Sequence, residues 1–151
     1  MDKLNLELDS YKIPTLVYAG EIENLCGALD TPQKVAETMM PEIGHMAEEY
    51  VYMLALDVRK RVLGVFEISH GTVDMSIITP REIFIRALVC GASSIVLVHN
   101  HPSGNKLPSK HDLEVTEAVV SSGKLLNVPL LDHIILTSED FFSFKDEKYI
   151  I

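Results

Sequence analysis

The chain has 151 residues, enough for one ordinary domain, and 47% hydrophobic with 23% charged residues is the balance of a folded globular protein. Thirteen Lys and Arg against 22 Asp and Glu give a net charge of −9, with no basic face of the kind that phosphate backbones require. Wholesale disorder is excluded, and so is a membrane helix, since no apolar run nears the ~18 residues a span needs.

The first residues, Met-Asp-Lys-Leu-Asn-Leu-Glu, lack the basic-then-apolar pattern of a signal peptide. Ile13–Ala19 suits a short edge strand, because Pro14 cannot donate to a ladder. Residues 1–29 are therefore expected to form an extension on a single domain spanning 30–151. Asp30-Thr31-Pro32 starts a helix, with Gln33 three residues after Asp30 as in a capping box, and Pro41 ends it near Met40. A second short helix is expected over Glu42–Glu48.

Tyr50–Asp57 and Val62–Ile68 read as two strands of a hairpin, joined through Val58-Arg59-Lys60-Arg61. That loop holds the densest basic cluster and reads as a solvated turn, so strong nucleic-acid binding is not expected. Thr72–Ile78 suits a third strand. Thr79-Pro80-Arg81-Glu82 then opens a helix with Thr as N-cap and Pro in the first turn, and Gly91 stops it. Ser94–His99 is apolar on both faces, as a central strand is. A helix from Lys110 to about Ser122 follows, then strands near Leu130–Leu136 and Phe141–Phe144. The alternation predicts a mixed α/β fold with helices packed on a mixed sheet. Cys26 and Cys90 show no Cys-x-x-Cys spacing and read as buried apolar residues of a reducing compartment, the cytoplasm.

The chemistry concentrates in His99-Asn100-His101-Pro102 and Ser109-Lys110-His111-Asp112. His99 and His101 are two apart on a strand, so they share a face. Ser109 is an N-cap, which puts Asp112 in the first helical turn, on the face that carries Val115, Thr116 and Val119. Two imidazoles and a carboxylate converging from a strand end and a helix start can hold Zn2+ with a fourth position open, the pattern of catalytic rather than structural zinc. Taken singly, the histidine pair fits a structural role and Ser-x-x-Asp a plain capping box. The compact combination, with six residues between Pro102 and Ser109, is more specific than its parts.

That combination resembles the JAMM motif of the JAB/MPN metallopeptidases, and its Pro102-Ser103-Gly104 and Pro108-Ser109 elements resemble the RadC branch. Leu54-Ala55-Leu56-Asp57, Gly71-Thr72, Pro80-Arg81-Glu82-Ile83-Phe84, Ala87-Leu88 and Leu131-Asp132-His133-Ile134-Ile135 extend the similarity over roughly Asp30 to Ile151. The resemblance implies a cytidine-deaminase-like JAB/MPN architecture in stand-alone form, without the helix-hairpin-helix region of full-length RadC proteins. It implies His99, His101 and Asp112 as zinc ligands and Ser109 as a donor to the oxyanion of the reaction. The family's catalytic Glu falls at Glu49, eight residues before Asp57, with Glu48 as its rival.

The implied activity is zinc-dependent cleavage of a peptide or isopeptide bond in a peptide or protein substrate. The alternative is a non-catalytic interaction or scaffold domain tied to DNA repair or mobile elements. Of the remaining histidines, His111 is expected to face solvent, His133 to make a structural or ligand-supporting hydrogen bond, and His45 and His70 to lie on the surface. The loop Ser103–Pro108 is expected to flank the substrate.

Overall fold

The computed structural model describes residues 27–71 and 78–150. Helix α1 (Pro32–Met39) leads into a π-helical turn (Met40–Gly44), strands β1 (Tyr50–Leu56) and β2 (Val62–His70), and helix α2 (Pro80–Val89). Strand β3 (Ser94–Asn100), helix α3 (Lys110–Leu126), and strands β4 (Leu130–Leu136) and β5 (Phe141–Ser143) complete the order. The strands form one mixed sheet, ordered β2-β1-β3-β4-β5. Strands β3 and β4 are parallel and joined through α3, while the other neighbours are antiparallel.

Strand β3 lies in the middle and every one of its residues is buried, as its doubly apolar sequence requires. Alternation sorts its side chains between two cores. Ile95 and Leu97 join Met53, Ala55, Ile135, Val115 and Val119 beneath α2 and α3. Val96 and Val98 join Leu54, Leu56, Ile134 and Leu136 beneath α1 and the π turn. His99 follows Leu97 in alternation and so emerges on the α3 side.

The elements differ from the sequence expectation where local chemistry took another route. The cap of α1 is Thr31, whose hydroxyl accepts from Lys34 N at 3.2 Å, while Asp30 pairs with the Lys34 side chain at 2.6 Å. Pro41 does not stop the chain's helical path. It has no N–H to donate, and the backbone widens into the π turn; the expected helix over Glu42–Glu48 is absent, with the chain irregular after Gly44. In the hairpin, the Asp57 carboxylate accepts from the backbone N–H groups of Arg59 and Arg61 and Lys60 turns through φ 63°. Cys90 is half-buried rather than buried, its thiol 3.4 Å from the Ala87 carbonyl. Cys26 and the strands expected at Ile13–Ala19 and over most of Thr72–Ile78 lie outside the described residues.

Helix α3 runs one turn beyond Ser122, through Gly123, and ends at Asn127 in the left-handed conformation. Gly123, just past the expected end of the helix, is a point of close approach. A Cβ there would sit 2.6 Å from the Val128 carbonyl oxygen and 3.3 Å from Leu130 N. Gly123→Ala is therefore expected to destabilise the fold by about 1–3 kcal/mol through this clash, although Ala is the better helix former. An unchanged denaturant midpoint would contradict that packing.

Candidate metal centre

The pairing of β1 with β3 builds the site. Val51 lies opposite His99, the last pair of the antiparallel register; Glu49, two residues before Val51, and His101, two after His99, lie just beyond that end. Glu49 precedes β1 by one residue and shares the face of Val51, while Glu48 is exposed. Ligand atoms of Glu49, His99 and His101 come within 4.8 Å of one another. The two imidazoles meet edge to face with centroids 4.4 Å apart.

Asp112 closes the site from the first turn of α3. The capping box that holds it is reciprocal: Ser109 Oγ accepts from Asp112 N at 3.1 Å, and Asp112 Oδ2 accepts from Ser109 N at 2.6 Å. The buried carboxylate lies 3.6 Å from His99 Nδ1 through one oxygen and 3.5 Å from His101 Nε2 through the other. The capping box thus orients the carboxylate as well as starting the helix. Ser109 uses a lone pair for the cap, so its hydroxyl proton stays available; its backbone N–H is committed to Asp112.

Electrostatics suit a cation. Burial, reinforced by the neighbouring imidazoles, pushes His99 down to about 4 despite the Asp112 charge, so it is neutral at physiological pH with a lone pair to offer. Burial opposes the charged form of His101 too, but its hydrogen bonds to Asp112 and the Asn105 carbonyl, with the charges of Asp112 and Glu49, outweigh it and raise the pKa. Burial also disfavours the Asp112 anion; the contacts to His101, His99 and Ser109 prevail and hold its carboxyl well below the usual range. A buried anion between two imidazoles is a fitting place for a divalent cation. His101 Nδ1 lies 2.6 Å from the Asn105 carbonyl, which can only accept, so Nδ1 carries a proton and Nε2 is the nitrogen turned to the site. Fixing a ligand's orientation through its second nitrogen is usual at metal centres.

Asn100, Thr116, His111 and His133 also shape the site, and Asp132 holds the chain on the other face of β4. Asn100, buried between the two histidines, accepts from Tyr50 N at 2.6 Å and donates to the Glu48 carbonyl at 2.9 Å. It clamps the segment that carries Glu49, and a wholly polar residue in an otherwise apolar strand was the available signal. Thr116 and His133 form a buried pair beneath Asp112 at 2.7 Å, the kind of hydrogen bond expected of His133. His111 does not face solvent as expected: its Nε2 is buried, and the residue lines a cavity of about 20 Å³ with Glu49, His99, Asp112 and His133. Asp132, buried at the far side of β4, accepts from Ser143 Oγ, His133 N and Lys145 N at 2.6, 2.7 and 3.0 Å. In the loop Ser103–Pro108, Lys106 forms an exposed ion pair with Asp140. His45 and His70 are exposed.

The family model of the RadC-like JAB domain matches residues 29–149. The chain belongs to the RadC-like JAB domain family. Among curated relatives of this family, the UPF0758 protein of Finegoldia magna is 44% identical over 122 residues, covering 81% of this chain and 55% of the relative. That of Chlorobaculum parvum is 40% identical over 128 residues, covering 85% and 58%. That of Caldanaerobacter subterraneus is 37% identical over 122 residues, covering 81% and 52%. The chain spans about half the length of these relatives. The five-stranded mixed sheet flanked by helices agrees with the JAB/MPN architecture. No helix among the described residues is long and apolar enough to cross a membrane.

Proposed function

We propose that this domain is a zinc-dependent hydrolase of the JAMM type, acting on a peptide or isopeptide bond, with His99, His101 and Asp112 as the zinc ligands. The observation that supports it best is the buried Asp112 carboxylate set against two imidazoles at 3.5 and 3.6 Å, with Glu49 beside them. When bound, zinc supplies a Lewis acid that polarises a carbonyl and lowers the pKa of water toward ~7.

The chain's own residues divide the remaining work. Glu49, half-buried and anchored by Asn100, takes a proton from the attacking water and returns it to the leaving amine. Asp112 and the Asn105 carbonyl hold the His101 ring in one orientation. Ser109 turns its free hydroxyl proton toward the oxyanion while its lone pair caps α3. The substrate is a peptide or protein, and the net charge of −9 keeps duplex DNA from being a strong partner. The cytoplasm is the proposed compartment, since Cys26 and Cys90 show no spacing of a paired or metal-binding motif.

The test is cleavage of an unbiased peptide library and of isopeptide-linked substrates, with and without a chelator. Chelator-sensitive hydrolysis restored by added zinc is the expected result. If zinc-loaded protein cleaves nothing across both sets, the scaffold reading replaces the enzyme.

A further inference from the structure

Behind the proposed ligands, on the interior side, lies a hydrogen-bond chain with an open end. Thr116 Oγ1 is 2.6 Å from the Asp112 carbonyl oxygen and 2.7 Å from His133 Nδ1. Two oxygens at that distance need a proton between them, and a carbonyl has none, so the threonine's single proton goes to Asp112. His133 must then donate from Nδ1. Its Nε2 is left as a bare acceptor, and this nitrogen is buried without a hydrogen-bond partner among the described residues.

The ring of His133 cannot turn away to find another. It stacks on Phe144 at 4.7 Å and lies 5.7 Å from the His99 ring. His133 lines the same cavity of about 20 Å³ that Glu49, His99, His111 and Asp112 line, and the Nε2 of His111 is likewise buried and unpartnered among the described residues. A buried acceptor left unmade costs about 1–3 kcal/mol, and a cavity above ~10–15 Å³ that offers at least two polar partners can hold a water.

We infer that this cavity is a built water site in which His133 Nε2 and His111 Nε2 hold one water against the ring of His99, making His133 a positioning residue for that imidazole. The water donates to His133 and accepts from whichever His99 nitrogen carries a proton, so the ring is fixed as the Asn105 carbonyl fixes that of His101. The role toward zinc rests on the function proposed above; the direction of the hydrogen bonds does not.

Two measurements on the full chain test it. Long-range ¹H–¹⁵N spectra of the imidazoles should show His133 protonated at Nδ1 with Nε2 an acceptor, and Thr116→Val should disturb that signature. Zinc affinity, read by competition with a chromophoric chelator, should fall by about 10–100-fold in His133→Phe, the usual cost of losing a ligand's outer hydrogen bond. His133→Gln, which can still donate and accept, should recover part of the loss. A proton on Nε2 of His133 overturns the inference, as does wild-type zinc affinity in folded His133→Phe. Should the Phe variant not fold, the Gln variant and the spectra decide. Wild-type protein that takes up no zinc overturns the zinc reading and the positioning role together, while the spectra still decide the direction of the hydrogen bonds.

Discussion

Replacing Glu49 by Gln is expected to leave folding and zinc content intact and to lower hydrolysis by ~10²–10⁴-fold, the range for losing a general acid–base group. Gln keeps the size and a hydrogen-bonding head but cannot take up the proton. Position supports the assignment: a Glu49 carboxylate oxygen lies within 4.8 Å of ligand atoms of His99 and His101, and Asn100 holds the preceding carbonyl and the following N–H. Glu48 is exposed beside it, so Glu48→Gln serves as an internal control and should be nearly silent. His101→Ala should behave differently, costing both the metal and the activity. Hydrolysis at the wild-type rate by Glu49→Gln would contradict the base assignment, whatever the zinc content.

The largest expected effect on stability lies away from the site. Asp132→Ala removes the acceptor for three donors and should destabilise the fold by about 2–4 kcal/mol, since the His133 N–H is left buried without a partner. For a domain of this size that lowers Tm by roughly 5–15 °C. Its pH dependence has a definite sign. Burial outweighs the hydrogen bonds from Ser143, Lys145 and His133, so the carboxyl pKa is raised in the folded state. The neutral form is thus favoured by folding: its contribution is fully present below the unfolded pKa near 3.8 and is lost as pH rises through the higher folded value. Measured against Asp132→Asn, which does not titrate, wild-type protein should gain relative stability as pH is lowered from 7 toward 4. A difference that shrinks over that interval would contradict the raised pKa.

Much of the candidate site was legible because its signals are local. His99, His101, Ser109 and Asp112 fall within one stretch of chain, where strand alternation and a helix cap determine direction residue by residue. The same locality explains the central strand, whose apolar run has no polar face to present. Glu49 depended on a family resemblance, because a pairing register between distant strands leaves no mark in either strand alone. His111 was misjudged for a related reason. Its neighbour Asp112 faces inward, and adjacent helical residues diverge by about 100°, yet the cavity wall at the start of α3 is wide enough to take both. Gly123 shows the limit of local signals most plainly, since what demands glycine there is the Val128 carbonyl and not a turn. Asp132 likewise looked like part of an apolar strand's entry, and its importance comes from donors on the segment that follows β5 and on Ser143.

The central claim is that His99, His101 and Asp112 together hold one zinc ion. The most direct measurement is diffraction from crystals of the full chain, purified without chelator and supplied with zinc, recorded on both sides of the zinc absorption edge. The account predicts a single anomalous peak within bonding distance of His99, His101 and Asp112, with Glu49 beside it. No peak between those three side chains, or a peak coordinated without Asp112, would contradict it.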